Sequence, residues 1–349
     1  MVEKNSAADR PLRIGTRRSN LAVVQAEGIR ASLQKIAPER TFEIETLHTL
    51  GDKDKSTALY EFGAKSLWTS ELEEKLNSGE IDVVVHCLKG RLLFPPLESK
   101  SNYRPDMPTT LPESCDLAPI PLRDDPRDAL IVKTGLPYTS LQTLPEGAVV
   151  GTSSVRRSAQ LRRLYPHLRF ANLRGNVETR LAKVDNPESE YTCMVMSAAG
   201  LERIGLKDRI NQYMGSKDGG ILHAVGQGAL GLEIRKGDSE TLALVSNLAD
   251  QWSTLACLAE RALMRTLEGG CSVPIGIETE WVDRAQYLLR ISAIVVSLDG
   301  SQSVQDSIDV TVQTNEEATA LGQTLAARLV KGGAGDILNS ININRPAKE

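Results

Sequence analysis

The sequence predicts an α/β protein with two similar lobes, each built on a parallel-rich sheet, followed by a smaller α+β domain at the C-terminus. In the first lobe, strand and helix patterns follow one another in an order that implies a parallel, helix-covered sheet. A second α/β series repeats a detail of the first, because Gly151-Thr152-Ser153-Ser154 ends a strand and opens a helix as Gly15-Thr16 does. Residues 273–312 then alternate as antiparallel strands, which is typical of a separate α+β domain.

The elements of the first lobe lead to a strand that carries polar residues at its end. They are a strand at 12–15, a helix to about residue 36, a strand at 42–47, a helix at 65–77 and a strand at 81–89. Ser19 or Asn20 is expected to cap the first helix, whose N-terminus, with Arg17 beside it, suits an anion. Because ligands of open α/β sheets bind outside the carboxyl ends of the strands, we expect the site near Lys89.

The remaining elements divide the chain into three predicted domains. The second lobe is expected to contain strands at 129–132, 148–151, 168–172 and 192–196 and helices at 154–165 and 176–184. The last domain is expected to contain a helix at 251–267, strands at 273–281, 287–297 and 303–312, a helix at 316–330 and a polar tail at 332–349. We therefore assign domain 1 to residues 1–124 and 225–246, domain 2 to 127–222 and domain 3 to 250–349.

Composition argues against several classes of protein. The 349 residues are 41% hydrophobic and 25% charged, and no apolar run is long enough to span a membrane. The N-terminus has no secretory apolar region, the five cysteines form no CxxC pair, and the four histidines have no metal-ligand spacing. We therefore expect a cytoplasmic protein without disulfides, a metal or a membrane partner.

A cluster of arginines indicates an anionic ligand. The net charge is −4, yet residues 151–180 contain seven arginines and a single acidic residue, Glu178. A local cationic surface on an acidic protein favours a specific anion over nucleic acid, for which aromatic platforms are also missing. Two lobes that each offer helix N-termini and arginines would form a cleft for a polyanion. The glycine-dense segment 226–231 precedes a strand, so a dinucleotide site is not expected there.

Eight segments carry a resemblance that covers roughly residues 12 to 300. They are GTRRSNLAVVQ from Gly15, GAKSLWTSELE from Gly63, DVVVHCLK from Asp82, GTSSVRRSAQL from Gly151, RGNVETRL from Arg174, SAAGLERIG from Ser197, AVGQGALGLEIR from Ala224 and ERALMRTLEGGCSVP from Glu260. In this order they resemble the porphobilinogen deaminases, also called hydroxymethylbilane synthases. No single segment is decisive, but the set is highly specific.

The resemblance implies a transferase that condenses four porphobilinogen molecules head-to-tail, loses ammonia each time and releases hydroxymethylbilane for tetrapyrrole and heme biosynthesis. It also implies one covalent dipyrromethane cofactor per chain, held by a thioether to the residue in the position of Cys271. Gly269 and Gly270 precede Cys271, and an exposed cysteine on a glycine loop suits permanent alkylation better than a core cysteine does. A monomer is expected.

By family correspondence, arginines and polar residues bind the acetate and propionate groups of the pyrroles. Arginine suits such carboxylates because its forked donors keep their charge. The expected cofactor ligands besides Cys271 are Arg17, Ser19, Lys65, Lys89, Ser153, Arg156, Arg157, Arg174, Arg180 and Gln227. The expected substrate ligands are Arg17, Ser19, Arg174, Arg180 and Arg203. Three arginines lie outside the matched positions and are expected to be solvated, namely Arg162, Arg163 and Arg169.

The catalytic carboxylate is displaced in this sequence. In the family, an aspartate directly follows the lysine at the strand end, where it stabilises the cation left by loss of ammonia and helps to move protons. Here Gly90 follows Lys89, and the family pattern resumes at Asp106-Met107-Pro108-Thr109. We therefore assign Asp106 and Lys89 as the catalytic residues and interpret residues 90–105 as an insertion.

The irregular composition of residues 90–105 favours a retained intron or a gene-model error over a lineage-specific loop. Because positioning within about 1 Å matters to catalysis, one alternative is a catalytically impaired or mis-spliced family member. A remote alternative is a periplasmic-type anion-binding protein, since the two-lobed arrangement also resembles type 2 periplasmic ligand-binding proteins. That alternative predicts a secretory signal and has no need of Cys271.

Deletion of residues 90–105 is expected to raise the catalytic activity of this chain or leave it unchanged. The deletion joins HCLK to DMPTTLP and so brings Asp106 next to Lys89. The measurement is turnover of porphobilinogen by the shortened and full-length chains. Lost turnover in a shortened chain that still folds would mean that the segment is functional. Transcript sequencing tests its origin, since a dominant message that includes these codons rules out the artefact.

Overall fold

The computed structural model describes four stretches of the chain, residues 10–47, 70–89, 111–267 and 273–343. They belong to two compact units. Unit 1 contains the described residues up to Leu88, residues 111–123 and Ala229–Thr254. Unit 2 contains Lys89, Asp124–Gly228 and the described residues from Leu255 onward. The chain therefore leaves unit 1 after Arg123 and re-enters it at Ala229.

In chain order, the main strands and helices of the described residues are β1 (Leu12–Arg17), α1 (Asn20–Ile36), β2 (Phe42–Leu47), α2 (Ser70–Asn77), β3 (Val83–Cys87), β4 (Cys115–Leu117), β5 (Asp128–Val132), β6 (Val149–Gly151), α3 (Val155–Leu164), β7 (Arg169–Ala171), α4 (Val177–Asp185), β8 (Cys193–Ser197), α5 (Ala198–Arg203), β9 (Gln212–Met214), β10 (Leu230–Arg235), α6 (Ser239–Val245), α7 (Gln251–Thr266), β11 (Ile275–Asp283), β12 (Leu288–Val296), β13 (Ser303–Thr311), α8 (Asn315–Leu329) and α9 (Gly335–Ile343). None of the described helices is long and apolar enough to cross a membrane.

Unit 1 is built on a five-stranded sheet in the order β2-β1-β3-β10-β4. β1 is parallel to β2 and β3, whereas β10 is antiparallel to β3 and β4, so four of the five strands share one direction. The buried residues of α1 recur at helical spacing, and Leu33 packs with Leu12 and Ile14. Leu72 of α2 packs with Val84 on the other face, because successive strand residues point to opposite sides.

Unit 2 contains a sheet of the same design, in the order β7-β6-β8-β5-β9. β6 is parallel to β7 and β8, whereas β5 is antiparallel to β8 and β9. Gly15 lies in β1 and Gly151 ends β6, and a Cβ added at either position would crowd a neighbouring side chain, that of Ile81 or of Leu173. The predicted pair of lobes with parallel-rich sheets is confirmed.

The C-terminal part of unit 2 is the predicted small α+β domain. β11, β12 and β13 form an antiparallel sheet, and Leu263 of α7 and Leu325 of α8 share a core with Ile291 of β12. Ile294 of β12 also packs with Ala159 of α3. Contacts thus group this domain with the second lobe in unit 2. The division at residues 127–222 and 250–349 stays a prediction.

The end of the chain differs from the expected polar tail. After a left-handed residue at Gly333 (φ 102°), residues 335–343 form α9. Three of its side chains are buried in the core of the C-terminal domain, namely Ile337, Leu338 and Ile341. The stripe is too short to stand out in the sequence, and the helix is stable because it packs on that core.

Replacing Gly322 by alanine is expected to lower the free energy of unfolding by about 1–3 kcal/mol, the usual result of overpacking a core. Gly322 lies in α8, and a Cβ added there would overlap the carbonyl oxygen of Ala259 in α7. The measurement is urea denaturation. The control is Gly28→Ala in α1, where an added Cβ meets nothing within 4 Å. Equal effects of the two changes would contradict the close approach of α7 and α8.

Candidate active site

In unit 1, the turn from β1 to α1 carries the predicted ligands Arg17 and Ser19, both half-buried. Ser19 occupies the N-cap position of α1 as expected, but its side chain makes no capping hydrogen bond, and the first turn of the helix has no acidic residue. The hydroxyl of buried Thr16 donates to the carbonyl oxygen of Ala22 (3.3 Å), which ties the strand end to the helix. A helix N-terminus of this kind, with a cation beside it, attracts an anion.

The matching turn in unit 2 joins β6 to α3. Ser154 is the N-cap residue of α3, again without a side-chain capping hydrogen bond, and the first turn of α3 also has no acidic residue. The backbone N–H of Ser154 donates to Thr152 Oγ1 (3.1 Å), which tightens the turn. Ser153, a predicted ligand, is exposed. The two lobes thus present the same kind of anion-attracting turn.

Arg156 and Arg157 follow this turn, and both are buried, with only 4% of each residue exposed. Both pair with the carboxylate of Asp128 at the start of β5: Arg156 Nη1 lies 2.8 Å from Oδ2, and Arg157 Nη2 lies 2.7 Å from Oδ1. Arg157 Nε also donates to Oδ1 (3.0 Å), and its Nη1 donates to the carbonyl oxygen of Val195 (3.1 Å). All three guanidinium nitrogens of Arg157 therefore bond to protein oxygens.

Asp128 is fully buried and accepts a further hydrogen bond from Gln227 Nε2 (2.9 Å). Burial alone would raise the pKa of Asp128, but the charges of Arg156, Arg157 and Lys89 outweigh burial and hold that pKa well below its ordinary value. Asp128 is therefore ionised at neutral pH. It is not among the predicted site residues, and its sequence signal is only an aspartate directly before the apolar run 129–132.

Gln227 is held by the glycine-dense segment before β10. Gly226 and Gly228 have φ values of 65° and 85°, which glycine adopts without strain. The N–H of Gly226 donates to Glu260 Oε2 (2.8 Å), and Gln227 Nε2 donates to the carbonyl oxygen of Pro126 (2.7 Å) as well as to Asp128. This segment leads into β10 and holds the buried amide of Gln227.

Arg174 and Arg180 lie at the turn between β7 and α4, and both are half-buried. Arg180 Nε donates to the carbonyl oxygen of Gly175 (2.7 Å), directly after Arg174. Asn176 caps α4 through a hydrogen bond from the N–H of Thr179 (3.2 Å). The structure therefore brings these two predicted ligands to a single turn. Because Gly175 has a φ of 123°, the turn needs glycine at that position.

Arg203 ends α5, and its guanidinium contacts two protein oxygens. Its Nε lies 2.7 Å from Asp124 Oδ2, and its Nη2 donates to the carbonyl oxygen of Gly228 (2.6 Å). Arg162 also differs from the expected solvated arginine, because it donates to the carbonyl oxygen of Leu298 (3.0 Å) and lies over the ring of Phe170 (4.9 Å). Arg162 therefore links the second lobe to the C-terminal domain within unit 2.

A second buried pair lies in the sheet of unit 1. His86 Nε2 of β3 is 3.1 Å from Glu233 Oε2 of β10, and both residues are buried. Burial, followed by the charge of Glu233, raises the pKa of the nearby Cys115 to about 12. Local sequence patterns do not predict this pair, because its members are separated by 147 residues.

Four of the sequence assignments fall outside the described residues: Lys65, the segment 90–105, Asp106 and Cys271. Their roles stay predictions. Lys89, the last described residue before the segment, is half-buried and follows Leu88, whose N–H donates to the carbonyl oxygen of Ala229 (2.9 Å). Within the described ranges, no cluster of His, Cys, Asp or Glu is arranged to hold a metal ion.

Replacing Asp128 by asparagine is expected to lower the free energy of unfolding by about 3–5 kcal/mol, because it leaves two buried guanidinium groups without their counter-charge. The measurement is chemical denaturation of both proteins. The matched control is Asp309→Asn, which removes the same charge from a solvent-exposed pair with Arg290 (2.7 Å) and is expected to change stability far less. Similar losses in the two variants would contradict a central role for Asp128.

Family models match most of the chain. Residues 12–243 match "Porphobilinogen deaminase, dipyromethane cofactor binding domain", and residues 254–331 match "Porphobilinogen deaminase, C-terminal domain". Among solved structures, a YaeC-family lipoprotein from Enterococcus faecalis has a TM-score of 0.36 at 15% identity, over 69% of this chain and 91% of that chain. A likeness that weak supports no conclusion about function.

Curated relatives agree with the family models. The porphobilinogen deaminase of Yarrowia lipolytica is 48% identical over 95% of this chain and 93% of its own length. The porphobilinogen deaminase of Neurospora crassa is 49% identical over 95% of this chain and 94% of its own length. The one of Saccharomyces cerevisiae is 45% identical over 96% of this chain and 98% of its own length. Together with the arginine-lined turns of both lobes, these matches establish that the chain belongs to the porphobilinogen deaminase family.

Proposed function

We propose that this chain is a hydroxymethylbilane synthase, which joins four porphobilinogen molecules head-to-tail, releases ammonia at each step and gives hydroxymethylbilane for tetrapyrrole and heme synthesis. Its membership of the porphobilinogen deaminase family supports this reaction. The structural observation that carries the proposal is the pair of matching strand-to-helix turns, each without a side-chain cap and without an acidic residue in the first helical turn. Each turn suits an anionic ligand.

The donor set fits a chain of pyrroles, because every pyrrole brings an acetate and a propionate. Arginine matches the planar carboxylate with two parallel donors and keeps its charge at any relevant pH. We assign the substrate carboxylates to Arg17, Ser19, Arg174, Arg180 and Arg203. We assign the cofactor carboxylates to Arg17, Ser19, Lys65, Lys89, Ser153, Arg156, Arg174 and Arg180. Arg157 and Gln227, the other two expected cofactor ligands, contribute indirectly, because both hold Asp128 in place.

We assign the attachment of dipyrromethane to Cys271. When bound, this group supplies the pyrrole end to which the first substrate is joined. The attacking form of cysteine is the thiolate, so a buried thiol of high pKa is poorly suited. Burial raises the pKa of Cys193 to about 12, Cys115 has a similarly raised pKa, and Cys257 is buried. These three thiols are therefore poorly suited, which leaves Cys87 and Cys271, and the family correspondence selects Cys271.

We assign the chemical step to Asp106 and Lys89. The carboxylate of Asp106 would stabilise the positive charge that develops on the substrate as ammonia leaves, and it would take the proton from the attacked ring carbon. Lys89 follows the end of β3, and its ammonium adds positive charge near Asp128, where it helps to lower the pKa of that carboxyl. Lys89 would therefore contribute to the cationic surroundings of the bound carboxylates.

The two alternatives have less support. The anion-binding protein is disfavoured because near full-length relatives at 45–49% identity are named porphobilinogen deaminase. The alternative of a catalytically impaired or mis-spliced chain is supported by residues 90–105 alone, and measuring the turnover of porphobilinogen tests it. We also propose a monomer in the cytoplasm whose partner is porphobilinogen and not nucleic acid, in keeping with the acidic overall charge of −4.

Intact-mass measurement after expression tests the proposed function. We expect the mass of one dipyrromethane added to the wild-type chain and to Cys87→Ser, and no addition to Cys271→Ser. Cys87 is the matched control because it is another thiol with partial exposure. A folded wild-type chain of unmodified mass would contradict the attachment.

Turnover of porphobilinogen by Asp106→Asn tests the catalytic assignment. We expect the variant to carry the adduct and to lose most of its turnover, because an amide cannot balance the developing cation. Unchanged turnover would rule out Asp106 as the catalytic carboxylate.

A further inference from the structure

Arg203 donates hydrogen bonds to two protein oxygens from the Nε–Nη2 edge of its guanidinium, an edge that could otherwise bind a ligand carboxylate. Nε lies 2.7 Å from Asp124 Oδ2, and Nη2 lies 2.6 Å from the carbonyl oxygen of Gly228. A planar carboxylate binds most strongly when it accepts two parallel hydrogen bonds from such an edge. In this structure, one protein carboxylate and one carbonyl oxygen occupy the two positions. A carboxylate that binds along this edge must therefore replace at least Asp124.

The two oxygens belong to Asp124 and Gly228. These residues begin and end the segment Asp124–Gly228 of unit 2, which lies along the chain between two segments of unit 1. The two backbones touch there, because the N–H of Asp124 donates to the carbonyl oxygen of Gly228 (3.3 Å). A Cβ added to Gly228 would lie 2.5 Å from the carbonyl oxygen of Asp124. Arg203 thus joins two chain segments whose backbone positions are fixed.

The Arg203–Asp124 pair differs in kind from the pairs made by Asp128. Asp128 is fully buried, and removing its charge leaves two buried arginines without a counter-charge. The side chain of Asp124 is 49% exposed and that of Arg203 is 12% exposed. Water can solvate the Asp124 carboxylate as soon as it leaves Arg203, so this pair separates at low cost. Asp128 is therefore a permanent partner of its arginines, whereas Asp124 is exchangeable.

We propose that Asp124 is a displaceable counter-ion that competes with the substrate carboxylate for Arg203 and so sets the affinity for porphobilinogen. The inference rests on the proposed function, in which Arg203 binds a substrate carboxylate. Asp124 keeps the guanidinium neutralised and oriented while the site is empty. A ligand carboxylate takes its place only when the rest of the ligand is also held, because a lone carboxylate gains nothing over Asp124. Asp124 is thus a positioning residue that favours ligands with several carboxylates.

Steady-state kinetics of Asp124→Asn tests the competition. Asparagine keeps the shape and one acceptor oxygen but loses the charge, so KM for porphobilinogen is expected to fall by about two- to fivefold, the range set by one partly exposed ion pair. A purely structural role for Asp124 would instead raise KM or lower kcat. Arg203→Gln is expected to raise KM. In Arg203→Gln, adding Asp124→Asn is expected to change nothing, because the two residues act as one unit.

Asp125→Asn is the matched control. It makes the same change of charge one residue away, but Asp125 pairs with Arg127 (2.7 Å), which is not among the proposed ligands. KM is expected to stay at the wild-type value in this variant. An unchanged or higher KM in a folded Asp124→Asn protein, or an equal fall in Asp125→Asn, overturns the competition. A wild-type chain that carries no dipyrromethane and does not consume porphobilinogen overturns the proposed function and this inference together.

Discussion

The buried carboxylate of Asp128 is the interaction on which the arginine-rich lobe depends. Two guanidinium groups next to each other at the start of α3 would repel one another and cost several kcal/mol to bury without a counter-charge. Asp128 lies between them at 2.7–2.8 Å, and Gln227 adds a neutral donor. The pKa of Asp128 is lowered although burial alone would raise it, so the carboxylate keeps its charge throughout the neutral range. The cationic site can therefore exist in a stable fold.

A protein that binds a polycarboxylate must keep its cations apart from each other and available to the ligand. The described residues contain two solutions. Arg157 is fixed by a buried carboxylate and gives all of its guanidinium nitrogens to protein oxygens. Arg203 is held by a carboxylate that water can reach, so its partner can change. In the proposed site, the difference in burial between Asp128 and Asp124 distinguishes the arginines that a buried carboxylate fixes from Arg203, which can exchange one carboxylate for another.

Much of the fold could be predicted because its signals are local. Alternating strand and helix patterns predict the paired lobes, and the repeated glycine turn marks where each sheet presents a helix N-terminus. The short helix at 335–343 differs from the expected polar tail because a few apolar residues give a weak pattern, and packing of three of them on the C-terminal core stabilises it. The sequence predicts a solvated Arg162, because no nearby residue indicates that Arg162 contacts the carbonyl oxygen of Leu298.

The sequence by itself determined the family, the class of fold and the set of arginines, because motif order, residue type and periodicity are all written along the chain. Tertiary structure decided which internal carboxylates neutralise those arginines. Asp128 and Arg157 are 29 residues apart, Asp124 and Arg203 are 79 apart, and Gln227 and Asp128 are 99 apart. Such pairs form only where the fold brings distant segments within hydrogen-bonding distance. Their contribution to stability depends on burial, which no local sequence pattern encodes.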